Sequence, residues 1–211
     1  MRIVYLHGFA SSPQSSKARY FGEKFCRAGI PFEAPALDQG DFEGLTISGQ
    51  LSVIERAVGE GAPGVVLMGS SLGGYLAALF AALHPEVIDR VILMAPAFNF
   101  LRRWKARLTK EELTRWNTQG WMPIFHYGAK AEMRLGRQFL EDGARYPAVP
   151  DFSQRALILH GTGDPVVPLK GSQDFAHEHP LVRLALFPSG HELTDVLEGL
   201  WREVASFLEI A

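Results

Sequence analysis

A single cysteine, Cys26, leaves the chain no partner for an internal disulfide and fits a reducing cytoplasm. It falls in the helical pattern of Ala18, Phe21 and Phe25, so it reads as a small buried packing residue rather than a nucleophile. Long apolar runs are also missing: none approaches the roughly 20 residues that cross a bilayer, so no membrane insertion is expected. A formal net charge of -2 supplies no general attraction to nucleic acid or to an anionic membrane. Met1 to Gly8 reaches a His-Gly turn too soon for a secretory signal, and a cytoplasmic location is expected. Metal-ligand spacing is absent as well. His177-Glu178-His179 and His191-Glu192 both lack the H-E-x-x-H interval that sets two imidazoles on one helix face. Neither a metal nor a cofactor is expected, and no internal repeat or low-complexity segment occurs.

What is present is ordinary for one globular domain spanning residues 1–211, with 47% hydrophobic and 21% charged residues. Short apolar runs alternate with helical patterns. Ile3 to Leu6, Val65 to Met68, Val91 to Met94 and Ala156 to Leu159 are continuous, as in strands buried on both faces. Phe32 to Ala34, flanked by Pro31 and Pro35, is a weaker strand, and Leu181 to Phe187 is the last. Helices are predicted over Ser16 to Ala28, over Thr46 to Val58, from Tyr75 to Leu83 and over Asp195 to Leu208. This alternation argues for right-handed crossovers and an α/β fold with a mainly parallel sheet covered on both faces. Residues 99–154 break the pattern. They hold no recognisable strand, three tryptophans (Trp104, Trp116, Trp121) and the basic cluster Arg102, Arg103, Lys105 and Arg107. An insert of this length reads as a helical cap or lid, or as an excursion whose aromatics pack on the body.

In such folds the active site lies at the carboxyl ends of the strands. Gly69-Ser70-Ser71-Leu72-Gly73-Gly74 there joins a strand to an apolar helix and fits G-x-S-x-G, with Ser71 on the tight turn. Ser70 would need a shifted register. Further along, Asp164 follows one strand and His191 another, in the order nucleophile, acid, histidine. A serine hydroxyl needs a neutral imidazole to take its proton, the part assigned to His191. Asp164 would hold the imidazole in the right tautomer; the alternative is a plain turn aspartate before Pro165. Backbone N–H groups of Phe9 and Leu72 are the expected oxyanion hole. His7 and His160, in His-Gly pairs, read as supports of loop geometry, and His84 as a helix C-terminal residue. Asp38 and Asp41 read as turn or cap residues.

With these residues identified, the chain resembles the α/β-hydrolase superfamily over nearly its whole length, and within it the small bacterial YqiA-like esterases. The resemblance rests on Tyr5-Leu6-His7-Gly8-Phe9, Ser11-Ser12-Pro13, Ser16-Lys17 and Gly69 to Tyr75. It implies a sheet of about six strands under a cap-like insert, and a cofactor-free carboxylic ester hydrolase in which Ser71, Asp164 and His191 act as nucleophile, acid and base. Around His191 and in the insert the chain departs from the subfamily pattern, which leaves the substrate open. The expected partner is a small-molecule ester. A thioesterase or small peptidase would use the same triad, and a non-catalytic binding protein would keep only the pocket. Trp104, Trp116, Trp121, Phe98 and Phe125 are the expected lining of an apolar acyl or leaving-group pocket.

Overall fold

The computed structural model describes residues 1–59 and 64–210. In chain order the elements are β1 (Arg2–Leu6), α1 (Ser16–Arg27), β2 (Phe32–Glu33), α2 (Ile47–Val58), β3 (Val65–Ser70), α3 (Leu72–Leu83) and β4 (Ile88–Met94). The insert follows with α4 (Phe100–Arg107), α5 (Lys110–Gln119), β5 (Trp121–His126), β6 (Ala131–Gly136) and α6 (Gln138–Gly143). The chain then returns to the sheet with β7 (Arg155–Gly161), α7 (Leu169–Glu178), β8 (Val182–Phe187) and α8 (Leu197–Leu208).

Six strands pair in the order β2-β1-β3-β4-β7-β8, all parallel. The register explains the continuous apolar runs. One row across the sheet, Val4, Leu67, Val91, Ala156 and Val182, faces a core shared with α2, α3 and much of the insert. The next row, Tyr5, Met68, Ile92 and Leu157, faces the opposite core, built with Phe21 and Phe25 of α1 and Leu200 and Val204 of α8. Successive strand residues point to opposite faces, and both faces are covered, so neither set can be polar. The strand order turns back between β1 and β3, and the loops leaving those strands flank that switch point.

Helix α3 is buried from Leu72 to Ala81, as its all-round apolar sequence requires. Its entry is very tight. A Cβ on Gly73 would overlap the backbone carbonyls of Leu6 and His7, and one on Gly69 would overlap the carbonyl of Gly73. Gly73→Ala is therefore expected to drive α3 away from β1. Its thermal unfolding midpoint should fall by more than that of an α8 surface control such as Arg202→Ala. Equal midpoints would show that the turn has slack.

The structure corrects two expectations. Residues 121–136, expected to lack strands, form an antiparallel hairpin in which Trp121 pairs with Gly136 and His126 with Ala131. Pro123 obscured it, yet a two-stranded ribbon accommodates proline at an edge. Cys26 is exposed, not buried: Phe21 and Phe25 turn into the core and carry Cys26 outward on the next position of α1.

The insert is tied to the body rather than perched on it. Trp116, Leu135, Phe139 and Leu140 join the α2–α3 core. Ser48 of α2 donates to Asp142 from its N–H at 2.7 Å and from its hydroxyl at 2.6 Å. Tyr75 donates to the Pro147 carbonyl at 2.9 Å, and the Tyr127 N–H to that of Ala10 at 2.7 Å.

Candidate active site

Ser71 sits between β3 and α3 with φ 55° and ψ −115°, a region costing a non-glycine residue about 1–3 kcal/mol. The conformation is held from both sides. Its N–H donates to Met94 O at 2.9 Å, and its carbonyl accepts from the N–H groups of Ala97 at 3.0 Å and Tyr75 at 3.1 Å. The strain lifts the hydroxyl out of the strand line. There His191 Nε2 lies 3.0 Å from Ser71 Oγ, and His191 Nδ1 lies 2.7 Å from Asp164 Oδ2. A carboxylate only accepts, so Nδ1 carries the hydrogen and Nε2 is free to accept from Ser71.

The Asp164 side chain is wholly buried. Its Oδ1 accepts the N–H groups of Val166 and Val167, each at 2.8 Å. Burial works against its charge, but the Val167 N–H, His191 and the Val166 N–H together outweigh it and hold the carboxyl below the usual range. The N–H groups of Phe9 and of Leu72, the first residue of α3, have no protein acceptor among the described residues. All five expected site residues thus lie at the carboxyl ends of β1, β3, β7 and β8, four of them on loops and Leu72 at the start of α3.

Four other histidines take supporting places. His160, fully buried, donates from Nε2 to Val167 O at 3.1 Å and accepts from Ser172 Oγ at Nδ1 at 2.8 Å; Asp164 Oδ2 is 3.4 Å from that Nε2. It braces the loop that presents Asp164. His7 accepts the Leu37 N–H at Nε2 and donates from Nδ1 to Gly8 O. His84 ends α3 and stacks on Phe80. Asp38 and Asp41 accept the N–H groups of Gly40 and Gly44 in turns. His179 bonds Phe175 O and Asp151.

Burial pushes the proton affinities of His7 and His160 down. Below the ordinary imidazole value of about 6.5 the unfolded chain therefore binds protons that the native chain refuses, and stability falls as pH falls. Asp164, whose pKa is lowered, adds its own loss at lower pH, as its carboxylate is protonated. Urea unfolding between pH 7 and 5 should show the decline, at most about 1.4 kcal/mol per pH unit for each histidine. His160→Gln should flatten it, and a pH-independent unfolding free energy would contradict this account.

Two contacts escaped the sequence reading. Lys17, at the start of α1, is buried; its Nζ donates to Glu192 O at 2.5 Å and lies 3.8 Å from the Glu192 carboxylate. Burial lowers its proton affinity and Glu192 opposes that shift. It clamps the residue after His191 from the far end of the sequence. Its one signal was its place in the Ser16-Lys17 motif. Arg107 Nη2 donates to Val166 O at 3.2 Å, linking the insert to the Asp164 loop.

The five aromatics do not share a pocket. Trp104 packs on Phe9 at 5.3 Å and on Trp116, which is itself buried and donates to Leu135 O. Phe98 packs on Phe175, Trp121 lies under the Arg134 guanidinium, and Phe125 is half exposed on the hairpin beside Tyr127. A cavity of about 370 Å³ beside α3 is walled instead by Ile47, Tyr75, Phe100, Leu101 and Tyr146, with Arg102 and Lys105 also on its wall. It adjoins the site through two residues: Tyr75 bonds the Ser71 carbonyl, and Phe100 packs on Phe9.

A parallel sheet in this order, crossed by helices on both faces and carrying a strained serine at the end of β3, is the α/β-hydrolase fold. Among solved structures, mouse alpha/beta hydrolase domain-containing protein 10 superimposes with a TM-score of 0.79 at 21% identity, covering 98% of this chain and 89% of that one. Est1E of Butyrivibrio proteoclasticus, solved with ferulic acid bound, superimposes at 0.83 with 20% identity, covering 100% and 89%. The chain belongs to the uncharacterised protein family UPF0227, matched over residues 2–209. It is also 29% identical over 126 residues to a pimeloyl-[acyl-carrier protein] methyl ester esterase of Nitrosospira multiformis. That match covers 53% of this chain and 44% of the esterase, less than half its length. Among the described residues, no helix is long and apolar enough to cross a membrane, and no cluster of three or more His, Cys, Asp or Glu side chains has metal-binding geometry.

Proposed function

We propose that this protein is a serine hydrolase that cleaves small carboxylic esters through an acyl-enzyme intermediate. The observation that carries the reading is the hydrogen-bonded series Ser71, His191, Asp164, with separations of 3.0 and 2.7 Å. Ser71 Oγ attacks the ester carbonyl while His191 Nε2 takes its proton. The oxyanion is met by the N–H groups of Phe9 and Leu72, whose hydrogen-bonding capacity the fold leaves unused. His191 then protonates the departing alcohol, and water repeats the sequence on the acyl-enzyme to release the acid. No cofactor enters this chemistry. The names of the Nitrosospira multiformis relative and of Est1E favour ester substrates. The 99–154 insert serves as the cap over the site, and the single cysteine favours a cytoplasmic setting.

The test joins a fluorophosphonate probe to p-nitrophenyl acetate, butyrate and octanoate. Stoichiometric labelling at Ser71, mapped by peptide mass, and turnover of at least one ester are expected. An unlabelled protein that turns over none of them would overturn the reading.

A further inference from the structure

Helix α4 of the insert spans the site from one wall to the other. At its start Phe100 and Trp104 pack on Phe9, with ring centroids 5.6 and 5.3 Å apart. At its end Arg107 bonds the Val166 carbonyl, in the loop whose N–H groups hold Asp164. Arg103 lies between these anchors. Spacings of three and four residues put it on the α4 face shared with Phe100 and Arg107. Arg102 and Lys105, on the other side of the helix, are exposed, whereas Arg103 is half-buried.

Its guanidinium is unoccupied. Nε is buried without a hydrogen-bond partner, and among the described residues the group makes no side-chain hydrogen bond or ion pair. Burial and the neighbouring Arg107 charge work against the Arg103 cation and the Asp164 charge favours it, but Asp164 makes no hydrogen bond or ion pair with it. Its oxygens accept instead from the Val166 and Val167 N–H groups and from His191. A partly desolvated cation with unused donors carries a cost that an anion relieves. The planar fork of arginine matches a carboxylate in a bidentate grip.

Resting on the esterase reading above, we infer that Arg103 is a specificity-determining residue that receives a carboxylate carried by the substrate, so that the preferred esters are acidic ones, such as monoesters of dicarboxylic acids. The ester carbonyl meets Ser71 and the free carboxylate meets Arg103. A neutral ester of equal length leaves the guanidinium unpaired. Discrimination of about tenfold to 100-fold in kcat/KM is expected, the range for a hydrogen bond to a charged group.

The test compares monomethyl glutarate with methyl valerate by pH-stat, in wild type, Arg103→Met and Arg103→Lys. The readout is the ratio of kcat/KM for the two esters within each protein, so that a general loss of activity or stability cancels. Wild type should favour the glutarate ester at least tenfold, Arg103→Met should bring the ratio near one, and Arg103→Lys should retain part of it. A wild-type ratio near one, or an unchanged ratio in Arg103→Met, overturns the inference while leaving the esterase reading intact. If methyl esters turn over too slowly, the same pair is compared as protectants of Ser71 against the fluorophosphonate. Protection by monomethyl glutarate alone, lost in Arg103→Met, supports the inference; equal or absent protection overturns it. A wild type that neither labels nor hydrolyses any p-nitrophenyl ester fails the esterase reading itself, and the inference falls with it.

Discussion

Ser71→Ala is expected to lose ester hydrolysis by up to about 10⁶-fold in kcat, the scale seen when a serine nucleophile is removed from such a triad. The variant should keep its fold. Alanine removes one oxygen from a side chain whose hydrogen bond is to the His191 ring, while the backbone bonds that hold the turn, to Met94, Ala97 and Tyr75, remain. Its thermal midpoint should stay close to that of wild type, since the strained φ of 55° is unchanged and a single side-chain hydrogen bond, to His191, is lost. Kinetics with p-nitrophenyl butyrate and intact-protein mass after fluorophosphonate treatment measure both parts. Turnover within tenfold of wild type would remove Ser71 from the mechanism and leave the hydrogen-bonded series without a catalytic meaning.

Asp164→Asn should lower kcat by about 10⁴-fold with little change in volume or packing, for a reason specific to this loop. Asp164 Oδ1 accepts two backbone N–H groups, from Val166 and Val167, while Oδ2 accepts the His191 Nδ1 hydrogen. An asparagine has one acceptor oxygen. The two N–H groups claim it, and the amide nitrogen is left facing His191 Nδ1. The amide donates, so His191 Nδ1 must accept, the ring hydrogen moves to Nε2, and Nε2 can no longer take the proton from Ser71. Both kcat and the rate of fluorophosphonate labelling should fall together, with the unfolding midpoint changed far less than the rate. Labelling at the wild-type rate would show that the tautomer of His191 does not depend on Asp164.

Much of this arrangement is legible in the sequence alone. The apolar runs named the interior strands because burial on both faces leaves no room for alternation, and the row from Val4 to Val182 bears this out. A parallel sheet places its site at the strand ends, where only a few loops carry a serine, an acid and a histidine. The insert was less legible. Its hairpin is a half-exposed ribbon interrupted by Pro123, so neither periodicity nor apolar content marked it. Its aromatics cluster in sequence, as the lining of one pocket would, but their surroundings are unlike. Trp116 packs in the core, Trp104 rests on Phe9 and Trp121 meets Arg134 on the hairpin.

The sequence by itself therefore determined the layered α/β plan and the candidates Ser71, Asp164 and His191, because each follows from a local pattern: a buried run, a glycine-bounded turn, a polar residue just past a strand. Tertiary structure alone decided how those loops are held and what overlooks them. Lys17 clamps Glu192 across a separation of 175 residues, Arg103 is brought inward by the docking of α4 on Phe9, and Cys26 is turned to solvent. The physical reason is one of range. Burial periodicity is written within a strand or helix, whereas the partner of a charged side chain is set by which distant segments the packed cores bring together.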